Sequence, residues 1–314
     1  MRRVRVSITA LALAFSMCLA SAVPAAAINL LRDPDMEHGL FIMAFPILRA
    51  AGLSPTRTKV LVVDDDRLNA FVVDHRAIYV TSGLVQKVTS AQMLQALIAH
   101  EAAHISNGHI ARRSANLKAA QAQAGLGMAL GVLAAAAGSA EAGVGLGSLS
   151  SSVAQRGFLA HTRAEEAAAD RSAAAYLKFA NVDPQALVDL HLLFLGQERL
   201  NISRQDEYTS SHPLTRDRVR AAEEYVSRHG FVGASDPEVD YWFARLKGKL
   251  SAFKRPAKWT RRRVEAETYP DVRHMRLAVA WHRENNMSRA LRSLDQALVR
   301  GRMIPITWNC AVRS

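Results

Sequence analysis

Cysteine is nearly absent from this chain of 314 residues, which contains only Cys18 and Cys310. Cys18 lies in an N-terminal segment that we expect to be removed, so one cysteine would remain and no intramolecular disulfide could form. Because 49% of the residues are apolar, the fold must be stabilised by a hydrophobic core, to which a bound metal would add. The length allows one large domain or two modest ones.

Long apolar runs are scarce, and the first of them is at the N-terminus. There the basic "MRRVR" precedes the apolar "SITALALAFSMCLASAV" and the small residues "PAAA". This order predicts a cleaved secretory signal peptide at residues 1–27, and the run is short for a retained membrane anchor. We therefore expect an exported protein, and the lack of disulfides fits the bacterial periplasm best.

The other apolar segment, residues 119–150, consists almost entirely of Ala, Gly, Leu, Val and Ser. Glu141 and several glycines interrupt it, which argues against a stable membrane span. Dense glycine indicates loose packing, so we predict a lid or loop that covers part of the molecule. A membrane hairpin at this position is the alternative.

Acidic residues are scarce in the C-terminal part of the chain. From Arg245 to Arg313 there are 17 Lys and Arg against 5 Asp and Glu, so this segment accounts for the whole net charge of +12. Such a basic region favours anionic partners, such as lipid headgroups or acidic protein surfaces. A solvated basic face without a partner is the alternative. Nucleic acid is not expected as a partner of an exported protein.

The pattern along the chain predicts an α+β fold that is mostly helical. Three β-rich runs, "KVLVV", "NAFVV" and "AIYVT", are separated by the turn-forming "DDD" and "DHR". Helical periodicity begins near Thr89, where Thr89 and Gln92 have the spacing of a capping box, and returns at residues 162–179 and 184–195. The stretch "GASDP" reads as a linker, which gives a domain at 28–233 and a helical region at 234–314.

The strongest chemical signal is "HEAAH" at residues 100–104. His100 and His104 are four residues apart and share one helix face, where two imidazoles can reach one metal ion. Glu101 lies at the edge of that face, as in the HExxH pattern of zinc peptidases. The alternative is a helix whose histidines serve only packing. His109 falls on the opposite side of a continuous helix, so we expect a structural role for it.

A second polar pair lies in "TRAEEAAADRSAAAYL". Glu166 and Asp170 share one helix face, whereas Glu165 is rotated away from it. One carboxylate can supply the third ligand that a catalytic zinc site requires, and the other can hydrogen-bond a ligating imidazole. The alternative, an exposed acidic helix, is disfavoured by the surrounding alanines.

Together, "GLVQKVTSAQMLQALIAHEAAHISNGH", "TRAEEAAAD" and "SSHPLTRDR" resemble the HtpX-like gluzincin zinc peptidases, a similarity that also covers "DDDRLNAFVVDHRAIYVTSGL". The resemblance implies a zincin-type metalloprotease domain at 28–233 that holds one Zn²⁺ per chain. It further implies the following roles: ligands His100, His104 and Glu166, general base Glu101, orienting carboxylate Asp170, latency histidine His212, and active-site arginine Arg218.

In similar enzymes an exposed edge strand pairs with the substrate backbone, and Asn69, Ala70 and Phe71 begin the best candidate. The C-terminal "LAVAWHRENNMSRALRSLDQALVRG" resembles one tetratricopeptide repeat; an ordinary helical hairpin is the alternative.

These features predict an exported zinc endopeptidase that cleaves misfolded or stalled envelope proteins, including outer-membrane proteins. We expect its basic helical region to dock on outer-membrane assembly machinery. A chaperone or adaptor with a latent metal site and a membrane-anchored protease are the alternatives.

Overall fold

A computed structural model describes residues 28–115, 118, 122, 163–195, 206–230, 233 and 235–301. The predicted signal peptide and nearly all of segment 119–150 lie outside the described residues. In chain order the elements are β1 (Leu30–Leu31), α1 (Pro34–Ala50), β2 (Lys59–Val63), β3 (Ala70–Asp74), β4 (Ala77–Thr81), α2 (Ser82–Lys87), α3 (Ala91–Ser106), α4 (Arg163–Phe179), α5 (Gln185–Phe194), α6 (Glu207–Ser211), α7 (Arg216–His229), α8 (Pro237–Lys254), α9 (Ala257–Arg263), α10 (Pro270–Arg283) and α11 (Met287–Arg300).

The predicted α+β class with a small sheet is confirmed. Each of the three β-rich runs forms a strand, and the sheet has the order β1-β2-β4-β3, in which β2 and β4 are parallel and the outer pairs antiparallel. Alternate residues of each strand, such as Val60, Ile78 and Ala70, are buried against the helices. A half-buried sheet of this kind explains the period-two pattern of the strands.

Helix α3 is the centre of the helical layer and packs against α1, α4 and α5. It begins at Ser90, whose Oγ accepts a hydrogen bond from the Met93 amide; the predicted cap, Thr89, lies one residue too early. Almost every residue of α3 up to His104 is buried. Because burying a polar group without a partner is costly, the polar residues of this helix require partners or a ligand.

Helices α8 to α11 form the C-terminal region, so its predicted helical nature is confirmed, while its likeness to a tetratricopeptide repeat stays a prediction. Helix α8 packs on α1, and α10 and α11 form a tight hairpin. A buried ion network joins the two regions: Arg245 contacts Asp35 and Asp271, each at 3.0 Å, and Lys249 contacts Asp35 at 3.0 Å. Gly248 permits the close approach of α10, because a Cβ there would lie 2.8 Å from Val272 Cγ1.

Among the helices that the structure describes, none combines the length and hydrophobicity that a membrane crossing requires.

Candidate metal centre

Two buried imidazoles of α3 face each other at the centre of the molecule. The Nε2 atoms of His100 and His104 are 3.1 Å apart, and the rings are nearly perpendicular at 76°. The four-residue spacing brings them to one face of the helix, as the sequence pattern predicts. Their ring nitrogens therefore converge on one point.

Glu166 reaches the same point from α4. Its Oε2 lies 3.3 Å from His100 Nε2, and its Oε1 lies 3.3 Å from His104 Nε2. The two helices approach closely because fully buried alanines, Ala102 and Ala169 among them, occur on both of them. The helix that carries the HExxH pattern and the helix that carries Glu166 therefore lie side by side, as the sequence predicts.

A fourth group, His212, completes the cluster. Its Nδ1 lies 3.4 Å from His100 Nε2 and 3.1 Å from Glu166 Oε1. All four side chains are buried, and one potential ligand atom of each lies within 4.8 Å of the others. His212 follows α6, and its ring stacks on Tyr208 at 4.7 Å.

The donor set and its spacing fit a zinc ion. Ligand atoms about 2.0–2.1 Å from a tetrahedral zinc lie roughly 3.3–3.4 Å from one another, which is close to the separations found here. The Asp170 carboxylate accepts a hydrogen bond from His100 Nδ1 at 3.0 Å, which leaves His100 Nε2 as the nitrogen that faces the other cluster residues. A ligating imidazole is commonly oriented by a carboxylate at its other nitrogen in this way.

Asp170 and Arg218 contact the candidate ligand residues. Arg218 Nε donates to Asp170 Oδ2 at 2.6 Å, and its Nη1 lies 2.9 Å from Glu166 Oε2. His191, on α5, also donates through Nε2 to Asp170 Oδ1, at 3.2 Å. Sequence reasoning missed His191, although a histidine inside the apolar run "LVDLHLLF" is a signal that could have revealed it.

The predicted position of His109, on the opposite side of the helix, is wrong. Helix α3 ends at Ser106, and Gly108 takes a positive φ of 72° that reverses the chain. His109 therefore folds back, is buried, and places its Nδ1 2.9 Å from Nδ1 of His104. The helical rotation that put it on the opposite side applies only to an uninterrupted helix.

Glu101 is fully buried beside the cluster. Its Oε1 lies 3.5 Å from His212 Nε2, and this oxygen has no hydrogen-bond partner among the described residues. Burial raises the pKa of its carboxyl. A carboxylate with a raised pKa and a free oxygen is suited to proton transfer.

The carboxylates of the cluster favour positive charge on His100, whereas burial disfavours it on His104. Burial opposes a charged His100, but the hydrogen bonds with Asp170 and Glu166 outweigh it and raise the His100 pKa to about 10. Burial lowers the pKa of His104 to about 3. Against the opposing effect of burial, His212 and the other histidines hold the pKa of Glu166 well below its usual range.

The candidate substrate residues lie next to the segment that carries His212. Asn69 immediately precedes β3, Ala70 is buried in it and Phe71 is half-buried. The Glu207 carboxylate of α6 accepts a hydrogen bond from Asn69 Nδ2 at 3.2 Å and pairs with Arg67. Helix α6 thus connects the start of β3 to the cluster.

Comparison with known proteins agrees with this geometry. Residues 41–226, which include all four cluster residues, match the family described as Peptidase family M48. The chain belongs to peptidase family M48. The predicted family of metallopeptidases is therefore confirmed.

The chain is also similar to curated bacterial proteases. The chain is 24% identical over 220 residues to the "Beta-barrel assembly-enhancing protease" of Yersinia pestis, and 25% identical over 220 residues to that of Escherichia coli K12. The "Putative beta-barrel assembly-enhancing protease" of Vibrio cholerae is 26% identical over 217 residues. Each match covers 69% of this chain but 44% of the relative, so the M48 chain spans less than half the length of these relatives.

Proposed function

We propose that this M48 chain is a zinc-dependent endopeptidase with ligands His100, His104 and Glu166. The observation that carries the proposal is the near-tetrahedral spacing of their ligand atoms, 3.1–3.3 Å, in a buried site of family M48. A histidine and carboxylate set of this kind is typical of catalytic zinc.

The mechanism uses the residues around the ligands. A bound zinc would supply Lewis-acid polarisation of the scissile carbonyl and activation of water. Glu101 removes a proton from the attacking water and passes it to the leaving amine, a role that fits its raised pKa. Asp170 fixes the tautomer of His100, and Arg218 holds Asp170 and Glu166 in position.

His212 would keep the enzyme latent. Its Nδ1 lies at ligand-like distances of 3.1 Å and 3.4 Å from two of the proposed ligand residues, whereas a catalytic zinc needs an open position for water. Helix α6 must therefore move before cleavage. Substitution of His212 by Ala should raise activity without loss of metal.

The proposed substrate class is supported by the name of the relatives, and the proposed location by the predicted signal peptide. Their printed name refers to β-barrel assembly, so we propose unfolded or misassembled envelope proteins, including outer-membrane proteins, as substrates of an exported, periplasmic chain. The basic helices α9 to α11 would dock on the assembly machinery, because acidic partner surfaces complement their excess of Arg and Lys.

The test is zinc content together with cleavage of an unfolded protein such as reduced casein. His104→Ala should lose both zinc and cleavage, whereas Glu101→Gln should retain zinc and lose cleavage by at least about 100-fold. Glu165→Gln is the matched control, because Glu165 lies outside the cluster. Undiminished cleavage by His104→Ala would refute the assignment.

A chaperone or adaptor is the second candidate, since the position of His212 closes the site. A chaperone would prevent aggregation equally well with the Glu101→Gln substitution, and neither a chelator nor His212→Ala would change its action. Proteolysis that a chelator abolishes and His212→Ala increases would exclude this candidate.

A further inference from the structure

The outer face of the sheet carries an apolar row that runs across three strands to one edge. Leu61 of β2 pairs with Tyr79 of β4, which pairs with Phe71 of β3. The rings of Phe71 and Tyr79 are stacked with centroids 5.2 Å apart and an interplanar angle of 18°. All three side chains are half-buried, so the row remains open to a further contact.

The row ends at β3, which is an edge strand. In the described part of the chain its only strand neighbour is β4, so no described strand pairs with its other side, where an edge strand can accept a further strand. Just before the strand, the Leu68 carbonyl accepts a hydrogen bond from the Tyr208 amide at 3.1 Å. A backbone carbonyl beside this edge therefore already accepts a hydrogen bond from another segment of the chain.

The bulge in β3 limits the pairing surface. The register of β3 against β4 shifts between Val72 and Asp74, and Val73 is 61% exposed. Regular pairing is thus confined to the first part of the strand, where Phe71 lies. An added strand would place one residue directly opposite Phe71, with its side chain on the same face of the sheet and about 4.5–5.5 Å away.

We propose that this row makes the edge selective for amphipathic β-strand segments, in which apolar and polar residues alternate. The inference rests on the proposed function, because the segment is the substrate that would pair with β3. In an alternating segment the residue opposite Phe71 and those two positions away share the outer face, and an apolar or aromatic residue there extends the row by one member. Strands of membrane β-barrels have this alternating pattern.

The test measures binding, so that it does not depend on cleavage. Two short fluorescent peptides of equal composition are compared, one with Val and Phe alternating with Thr and Ser, the other with the apolar residues grouped together. Fluorescence anisotropy with the Glu101→Gln protein should show about fivefold tighter binding of the alternating peptide, the upper range for a cross-strand aromatic pair.

Substitutions of Phe71 test whether the apolar row causes the preference for the alternating peptide. Phe71→Asp should abolish it, and so should Phe71→Thr, which introduces a residue that strands also favour but that lacks the ring. Phe41→Asp is the matched control, because Phe41 is an aromatic residue 40% exposed on α1. Equal affinity for the two peptides, or an equal loss in the Phe41 variant, would overturn the inference. If the unsubstituted protein failed to cleave any unfolded substrate, the proposed function would be refuted instead.

Discussion

Nδ1 of His109 lies 2.9 Å from Nδ1 of His104, and both rings are buried. When Nε2 of His104 is a metal ligand, its Nδ1 carries the proton and donates to His109. Such contacts behind a ligand fix its tautomer and its orientation.

We therefore expect His109→Leu to weaken zinc affinity by about 10–100-fold, and His109→Gln, which retains a hydrogen-bond acceptor, to restore most of it. Competition with a chromogenic chelator gives the affinities independently of proteolysis. Equal affinities for the Leu and Gln variants would show that His109 serves packing alone.

Glu207 anchors the helix that leads to His212. Its carboxylate bonds to Asn69 and pairs with Arg67, so Glu207→Ala should loosen α6 and raise cleavage of unfolded protein several-fold while zinc content stays constant. The control is Asp217→Ala, because Asp217 is exposed and pairs only with Arg220 in the described contacts. Unchanged or lower cleavage by Glu207→Ala would argue against latency through α6.

Arg245 bridges the protease region and the C-terminal helices through Asp35 and Asp271. Arg245→Met would leave Asp271 buried without its cation, so we expect a loss of about 3–5 kcal/mol in the free energy of unfolding. Urea denaturation measures this loss. Arg228→Met, at an exposed pair with Glu224, should change the free energy by no more than about 0.5 kcal/mol.

Because of the ionisation of Tyr241, the free energy of unfolding should fall at high pH. Burial and the hydrogen bond to Asp271 raise its pKa from 10.0 to about 12. The unfolded chain thus loses the phenol proton first, and the stabilisation present below pH 10 is lost as the pH rises towards 12.

Tyr241→Phe removes this ionisation. We expect the variant to be less stable than the parent by about 1 kcal/mol below pH 10, because the hydrogen bond is lost. The difference should shrink between pH 10 and 12. Urea denaturation across this range provides the measurement, and a difference that does not vary with pH would contradict the assignment.

Local sequence patterns were sufficient to predict the strands and helices and part of the candidate metal site. Alternation predicted β2, β3 and β4, and the four-residue spacings placed His100 with His104 and Glu166 with Asp170 on single helix faces. These relationships depend on backbone periodicity alone. The prediction for His109 failed because periodicity does not reveal where Gly108 reverses the chain.

The sequence by itself determined the helix faces and the chemical types of the candidate metal ligands, since each depends on residues within one or two turns. Only the tertiary structure decided that α3, α4 and the segment after α6 meet, with His212 3.1 Å from Glu166 and His191 beside Asp170. Family resemblance alone had pointed to His212. Contacts between residues 21 and 46 positions apart depend on how the helices pack, and packing is a property of the whole core.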